Sequence, residues 1–314
     1  MKAHSQTTLR DRVSLSGVGV HSGAACAVTL LPADPDTGIV FLKSVDDAAV
    51  DIEVPAIHGN VVATTQCTVL GSKDAGTIAT IEHLMAAFSG LGIDNVLVEL
   101  SGDEVPVMDG SSGAFVEAIR DVGIRRQSAR RRYIKVIKPV RVEIGDSVGE
   151  MLPSDTRVFE VEIDFADTVI GRQAYVYDAE EGDFGQDIAR ARTFGFMADV
   201  EKFWAKGLAL GASLENTVAI GEDQVINPEG LRFADEFVRH KVLDAIGDLM
   251  LAGAPILGHF RSYRGGHRLN SAVVEALLAD RGAWEWSSIP ARREATQADV
   301  GAMLPAAALG PNVT

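Results

Sequence analysis

Three side chains able to hold a metal or move a proton, His240, Asp244 and Asp248, recur every fourth residue in Phe237-Val-Arg-His-Lys-Val-Leu-Asp-Ala-Ile-Gly-Asp248. On a helix that spacing lines them along one face. Lys241 stands beside them, and Val238, Val242, Leu243, Ile246 and Leu249 make the rest of the segment apolar, so the polar stripe is expected on a largely buried helix. Burying such groups costs several kcal/mol unless a metal or a partner compensates them. A lone His/Asp pair of this kind also suits a helix with one solvated side. A second constellation elsewhere in the chain weighs against that.

The second constellation is Ala79-Thr-Ile-Glu-His-Leu-Met-Ala-Ala-Phe88. Thr77 or Thr80 can cap this helix, which would put Glu82 and His83 in its first turn, where the backbone dipole favours a carboxylate. Adjacent residues on a helix point about 100° apart, so the two do not share one metal, and H-E-x-x-H is absent. The workable division gives His83 to a zinc ion and leaves Glu82 as general base for the attacking water. With His240 and Asp244 this makes a three-ligand site with one position open, the pattern of catalytic zinc; Fe2+ can occupy the same ligands. The third constellation is Arg261-Ser-Tyr-Arg-Gly-Gly-His-Arg-Leu-Asn270. Gly265 and Gly266 allow a tight or positive-φ turn, and His267 follows at a helix start. Such a histidine is commonly a surface residue, but with a reference pKa of about 6.5 it can also donate a proton to a leaving amine. Asp248 could orient it.

These residues need elements that bring them together. After His83 come a helix, a glycine pair and the strand Asn95–Leu100; after His240 come a helix, Gly253 and the strand Pro255–Phe260. Two such halves facing one another would bring the histidines into one cleft, although the similarity is too short to establish a duplication. At 314 residues, with 46% hydrophobic and 23% charged, the chain suggests two domains with packed cores. The run Arg125-Arg-Gln-Ser-Ala-Arg-Arg-Arg132, between a helix Gly113 to Val122 and a strand Tyr133 to Ile137, is the expected interdomain linker. A net charge of −15 argues against nucleic acid as its partner, while a nucleotide diphosphate or an anionic membrane surface remains compatible.

Eight blocks, in order, closely resemble one family. They are Ser16-Gly-Val-Gly-Val-His-Ser-Gly23, Thr80-Ile-Glu-His-Leu-Met-Ala-Ala87, Gly90-Leu-Gly-Ile-Asp-Asn95, Pro106-Val-Met-Asp-Gly-Ser111, Ala189-Arg-Ala-Arg-Thr-Phe-Gly-Phe196, Gly230-Leu-Arg-Phe233, the Phe237–Asp248 segment and Gly265-Gly-His267. Together they cover roughly Thr7 to Leu278 and look like the signature of UDP-3-O-acyl-N-acetylglucosamine deacetylases, zinc amidases of lipid A biosynthesis. The resemblance implies zinc on His83, His240 and Asp244, Glu82 as base, His267 as acid supported by Asp248, and Lys241 as a stabiliser of the oxyanion or substrate. It further implies Thr193 as an oxyanion donor, Phe194 as a ring stacked on the sugar, and an inserted β-α-β subdomain near 194–215 that encloses the acyl chain of a UDP-linked amino sugar. Independently of the family, a hydroxyl beside an aromatic ring and two arginines, Arg190 and Arg192, suits a polar sugar.

For the acyl wall, Val200, Phe203 and Trp204 recur at helical spacing, with Leu208 and Leu210 after a break at Gly207; ordinary core is the competing assignment. The glycines around His21 lack the spacing and the βαβ context of a dinucleotide site, which leaves a turn near a ligand and His21 either approaching substrate or serving the fold. Cys67 is expected half-buried in a strand and not catalytic. Two cysteines, no apolar run of membrane-spanning length and no signal peptide point to the cytoplasm, with peripheral contact to the inner membrane left open and no obligate protein partner implied. The Asn312-Val-Thr314 sequon is read as chance. The expected architecture is α+β: a first domain over 1–126 with Glu82 and His83, and a second over 133–300 with His240, Asp244 and His267. Another zinc-dependent amidase and a non-catalytic lipid-sugar binding protein are the competing classes. The first is disfavoured by the R-T-F-G block and the second by Glu82 and His267 beside an open metal site.

Overall fold

Alternation of buried and outward residues builds the first sheet: Cys26, Val28 and Leu30 turn inward from Ala25–Pro32, and Val96, Val98 and Leu100 from Val96–Leu100. The strand order is Val13–Val18, Ala25–Pro32, Val96–Leu100, Ile39–Lys43, Ile52–Pro55, and only the pairing of Ile39–Lys43 with Val96–Leu100 is parallel. The computed structural model describes residues 4–43, 52–72, 76–166 and 168–288. The far end of the expected second domain and the sequon at 312–314 lie outside them.

The second sheet centres on Ile256–Tyr263, which pairs antiparallel with Ser147–Leu152 and parallel with both Tyr133–Val136 and Arg157–Phe165. Val140–Ile144, Gly171–Asp178 and Trp284–Ser287 complete it as antiparallel neighbours. Six helices occur among the described residues: α1 (Glu82–Leu91), α2 (Gly113–Val122), α3 (Phe184–Asp187), α4 (Val200–Trp204), α5 (Glu236–Met250) and α6 (His267–Ala279). The long helix α5 packs on Arg157–Phe165, and α6 packs on the Val140–Leu152 hairpin. This is the α+β arrangement of two larger sheets, accompanied by three small ones, with helices. No helix among the described residues is long and apolar enough to cross a membrane.

The halves meet through α1 against α5. Gly247 is what lets them approach: a Cβ there would lie 2.1 Å from the carbonyl oxygen of Glu82. Both helices are buried over most of their length, so a polar group on their contact face has to find its partner inside the protein.

The arginine run is not an open linker. Ile124–Arg130 forms an antiparallel strand with Ser5–Leu9, while Arg131 pairs with Asp94 at 2.7 Å. Ile124, Gln127 and Ala129 are partly covered and the arginines between them face out, so an outer strand carried the composition of a linker. The insert is a β-α-β unit, with Phe194–Phe196 parallel to Val218–Ile220 and α4 between them. It therefore extends to Ile220, past the expected limit near 215.

Candidate active site

Helix periodicity on α5 brings His240, Asp244 and Asp248 to one buried face, and the close approach of α1 adds Glu82 and His83. Neither Thr77 nor Thr80 caps α1. Ile81 occupies the cap position, Thr77 lies in the strand Gly76–Ile78, and the Thr80 hydroxyl donates to Glu104 at 2.9 Å. At the start of α1 the two neighbouring side chains diverge: His83 turns to Asp244 and Glu82 to His267.

Asp244 is the centre of the first cluster. Its Oδ1 lies 3.3 Å from His240 Nε2 and 3.7 Å from His83 Nε2, and its Oδ2 accepts from Lys241 Nζ at 2.9 Å. His240 Nδ1 lies 3.1 Å from the Ala191 carbonyl, a contact that fixes the ring and leaves Nε2 toward the cluster. Ligand atoms of His83, His240 and Asp244 all lie within 4.8 Å of one another. Bonds of about 2.0–2.1 Å to a tetrahedral ion put neighbouring donors roughly 3.3 Å apart, the spacing of His240 and Asp244, with His83 somewhat farther off. Asp244 Oδ1 and His83 Nδ1 are buried without a hydrogen-bond partner, and an unpaired carboxylate oxygen facing two imidazoles fits a cation. The protonation states agree. Burial, reinforced by His240, pulls His83 down to about 3, and burial also lowers His240. Burial works against the Asp244 carboxylate, but His240 and Lys241 outweigh it and hold its pKa well below the usual range. Two neutral imidazoles and a carboxylate are a donor set for a divalent metal.

Glu82 and His267 form the second cluster. Glu82 is 3% exposed; its Oε2 accepts from the Thr68 amide at 3.1 Å, and its Oε1 lies 3.7 Å from His267 Nε2. Burial pushes the Glu82 carboxyl up to about 7, with His267 opposing and Asp248 and Asp244 adding to the rise. His267 opens α6, with Nδ1 2.9 Å from Asp248 Oδ2. Burial disfavours its imidazolium, but Asp248, Glu82 and Asp244 outweigh burial and lift its pKa to about 10. The loop before it departs from expectation: the positive φ falls on Arg264, at 52°, whereas Gly265 leaves room for the Ser262 hydroxyl.

Two residues here had no assigned role in the sequence. Thr68 holds both carboxylates, its amide on Glu82 and its hydroxyl on Asp248 at 2.6 Å; Asn270 donates to Asp248 at 2.8 Å. Asn270 is one turn after His267 on α6, a spacing legible in the sequence. Thr68 offers no such signal, because Asp248 is 180 positions away.

Both clusters open into one cavity of about 340 Å³. Its polar end has Glu82, His83, His240, Lys241, Asp244 and His267, and its apolar end has Phe196, Val200, Phe203, Trp204, Leu208 and Leu214 from the insert. Thr193 and Phe194 stand where the ends meet. Phe194 packs edge-on to Phe165 and Phe237, with Lys241 Nζ 5.4 Å from its ring centre. His21 lines the cavity and also serves the fold, because its Nδ1 faces the Ala209 amide at 3.4 Å.

Other sequence assignments move. Leu210 is 53% exposed and lies outside the lining, where Leu208 and Leu214 stand instead. Arg192 is no sugar ligand: it is 1% exposed and bound to Glu236, Glu229 and the Gly230 carbonyl. Val200, Phe203 and Trp204 are not core, since no residue of α4 is buried. Cys67 is fully buried in the turn before Val69–Ser72 rather than half-buried in a strand, and burial with Glu82 pushes its thiol up to about 12, which keeps it from acting as a nucleophile.

Residues 6–279 match the profile of the LpxC family, described as UDP-3-O-acyl N-acetylglycosamine deacetylase. A Brucella ovis protein named UDP-3-O-acyl-N-acetylglucosamine deacetylase is 56% identical over 282 residues, which span 89% of this chain and 97% of that protein. The Brucella abortus (strain 2308) protein of the same name shows the same identity and coverage, and the Brucella melitensis biotype 2 protein is 55% identical with the same coverage.

Proposed function

The chain belongs to the LpxC family of UDP-3-O-acyl-N-acetylglucosamine deacetylases, and we propose how its residues divide that hydrolysis among them. The reaction removes the N-acetyl group from the UDP-linked, 3-O-acylated amino sugar and releases acetate, an early step toward lipid A. The observation that carries the reading is the single cavity joining a buried proton-transfer and donor cluster to an apolar insert.

His83, His240 and Asp244 would hold a zinc ion, which when bound supplies Lewis-acid polarisation of the amide carbonyl and a nucleophile at neutral pH. Glu82 takes the proton of the attacking water. The Thr68 amide holds its carboxylate in place for that transfer. Lys241 and Thr193, both in the cavity lining, stabilise the oxyanion, the first as a fixed charge and the second as a hydroxyl donor. His267 then gives its proton to the departing amine, and Asp248, itself held by Thr68 and Asn270, keeps the imidazole oriented and charged. Phe194 stacks on the sugar, His21 approaches it from the loop Gly19–Gly23, and Val200, Phe203, Leu208 and Leu214 take the acyl chain. Leu210 has no part in this.

The two sheets with their helices are read as two domains, with the strand Ile124–Arg130 between them. Two free, buried cysteines support a reduced, cytoplasmic setting. The test is acetate release by the purified, metal-reconstituted protein from the acylated UDP-sugar and from the same sugar without its acyl chain. Turnover of the acylated substrate that depends on metal and on Glu82 is expected. Metal-free turnover, or no preference for the acyl chain, would overturn the assignment.

A further inference from the structure

Glu104 lies beneath the loop Gly19–Gly23, 4% exposed, with both carboxylate oxygens fully used. Oε1 accepts from the His21 amide and the Thr80 hydroxyl, each at 2.9 Å; Oε2 accepts from the Ser22 amide at 2.9 Å and the Ser22 hydroxyl at 2.6 Å. Three of these four donors belong to the loop and are enough to fix it, because charge-assisted hydrogen bonds are about twice as strong as neutral ones. Glu104 does not line the cavity and takes no part in the proton transfers.

It joins two segments at the edge of the cavity. Thr80, with φ 57°, stands two residues before Glu82. On its other side the same loop receives the far end of the insert: the Leu210 amide donates to the His21 carbonyl and the Gly211 amide to the Val20 carbonyl, both at 3.1 Å, and the Ala209 amide meets His21 Nδ1 at 3.4 Å. The contact is tight, since a Cβ on Gly211 would lie 2.2 Å from the Gly19 carbonyl oxygen. The loop and the insert therefore clasp each other over the cavity, with Leu208 and Leu214 of the apolar wall on either side of the clasped residues.

We infer that Glu104 is a positioning residue that holds the Gly19–Gly23 loop so that the insert closes over the acyl passage, and thereby sets the preference for acylated over unacylated sugar. This rests on the reading that the apolar end of the cavity takes the acyl chain. Glu104→Gln removes the charge and turns an amide NH2, itself a donor, toward the donors of the loop, which unlatches it. The variant should lose about tenfold more in kcat/KM on the acylated substrate than on the unacylated one, for which only the contact of the loop's His21 with the sugar is at stake, with unchanged metal content. Amide hydrogen exchange at Leu210 and Gly211 should quicken, which reports the clasp without reference to turnover. Gly211→Ala forces the clasp apart without touching Glu104 or α1 and should give the same pattern.

Equal losses on both substrates, or unchanged exchange at Leu210 and Gly211, overturn the role. Phe203→Ser, measured alongside, separates the two readings. If it discriminates by acyl chain and the other two variants do not, Glu104 serves the fold alone and the acyl passage stands. If none of the three discriminates, the acyl reading falls, and the role of Glu104 with it.

Discussion

At one end of the cavity every ionisable group belongs to a buried network; at the other, apolar side chains stand partly in solvent. His83, Asp244, Glu82 and His267 are each no more than 9% exposed, whereas Met197 and Trp204 of the insert are 48% and 56% exposed. In the proposed reading the difference follows from what each end has to do. Moving a proton requires fixed donors and shifted protonation states, and both come from burial among charged partners. Holding an acyl chain requires apolar area that its own fold leaves uncovered, so the insert keeps such area at its surface. Substitutions at the two ends should therefore fail in different ways.

The largest effects are expected at the metal end. His83→Ala, His240→Ala or Asp244→Ala should each lose most bound zinc and nearly all activity, because three protein ligands leave little redundancy. Metal analysis of the folded variants decides this, and full occupancy in any of them removes that residue from the ligand set.

Next come the proton-transfer groups, which should keep the metal. Glu82→Gln and His267→Ala are expected to lose about 10² to 10⁴ in turnover. Glu82 works as the carboxylate, so activity should fall as pH drops through its pKa of about 7; His267 works as the imidazolium, so activity should fall again as pH rises through about 10. A bound cation draws both limbs lower. Each variant should lose its own limb of the profile, and unchanged limbs in both would remove the two assignments.

At the apolar end the losses should be smaller and selective. Val200→Ser should raise KM for a long-chain substrate roughly tenfold over a truncated one, since each buried CH2 is worth about 0.8 kcal/mol. Its melting temperature should hardly move, because Val200 is only partly buried in the protein alone. Equal effects on both substrates would send the acyl chain elsewhere. The smallest effect is expected at Leu210→Ser. Its side chain is outside the cavity lining, so kcat/KM on the acylated substrate should stay within about twofold. A loss comparable to that of Val200→Ser would restore Leu210 to the wall.

How far the sequence could be read follows the same division. His240, Asp244 and Asp248 share a helix, and a period of 3.6 places them without knowledge of the fold. Glu82 and His83 were readable as neighbours in a first turn, although the cap was not, because the Thr80 hydroxyl is drawn off by a carboxylate 24 positions away. Helical spacing reached Val200, Phe203 and Trp204 and no further. After α4 the chain turns through Gly207 and Ala209, both at positive φ, so nothing local set which of the following leucines faces inward. Arg192 looked available in the sequence because its partner Glu236 lies 44 residues on.

By itself the sequence determined the helices that carry His83, His240 and His267, the strands that begin near Asn95, Tyr133 and Pro255, the candidate donor set and the resemblance that carries the family. These depend on short-range periodicity and on residue chemistry, which are written locally. Only the tertiary structure decided that Thr68 bridges Glu82 and Asp248, that Arg192 belongs to the fold, that the arginine run is a strand and that Glu104 clasps the loop to the insert. Each is a contact between distant segments: Thr68 meets its two carboxylates where α1 approaches α5 past Gly247, and the others follow from which backbone and buried polar groups find a partner across the chain.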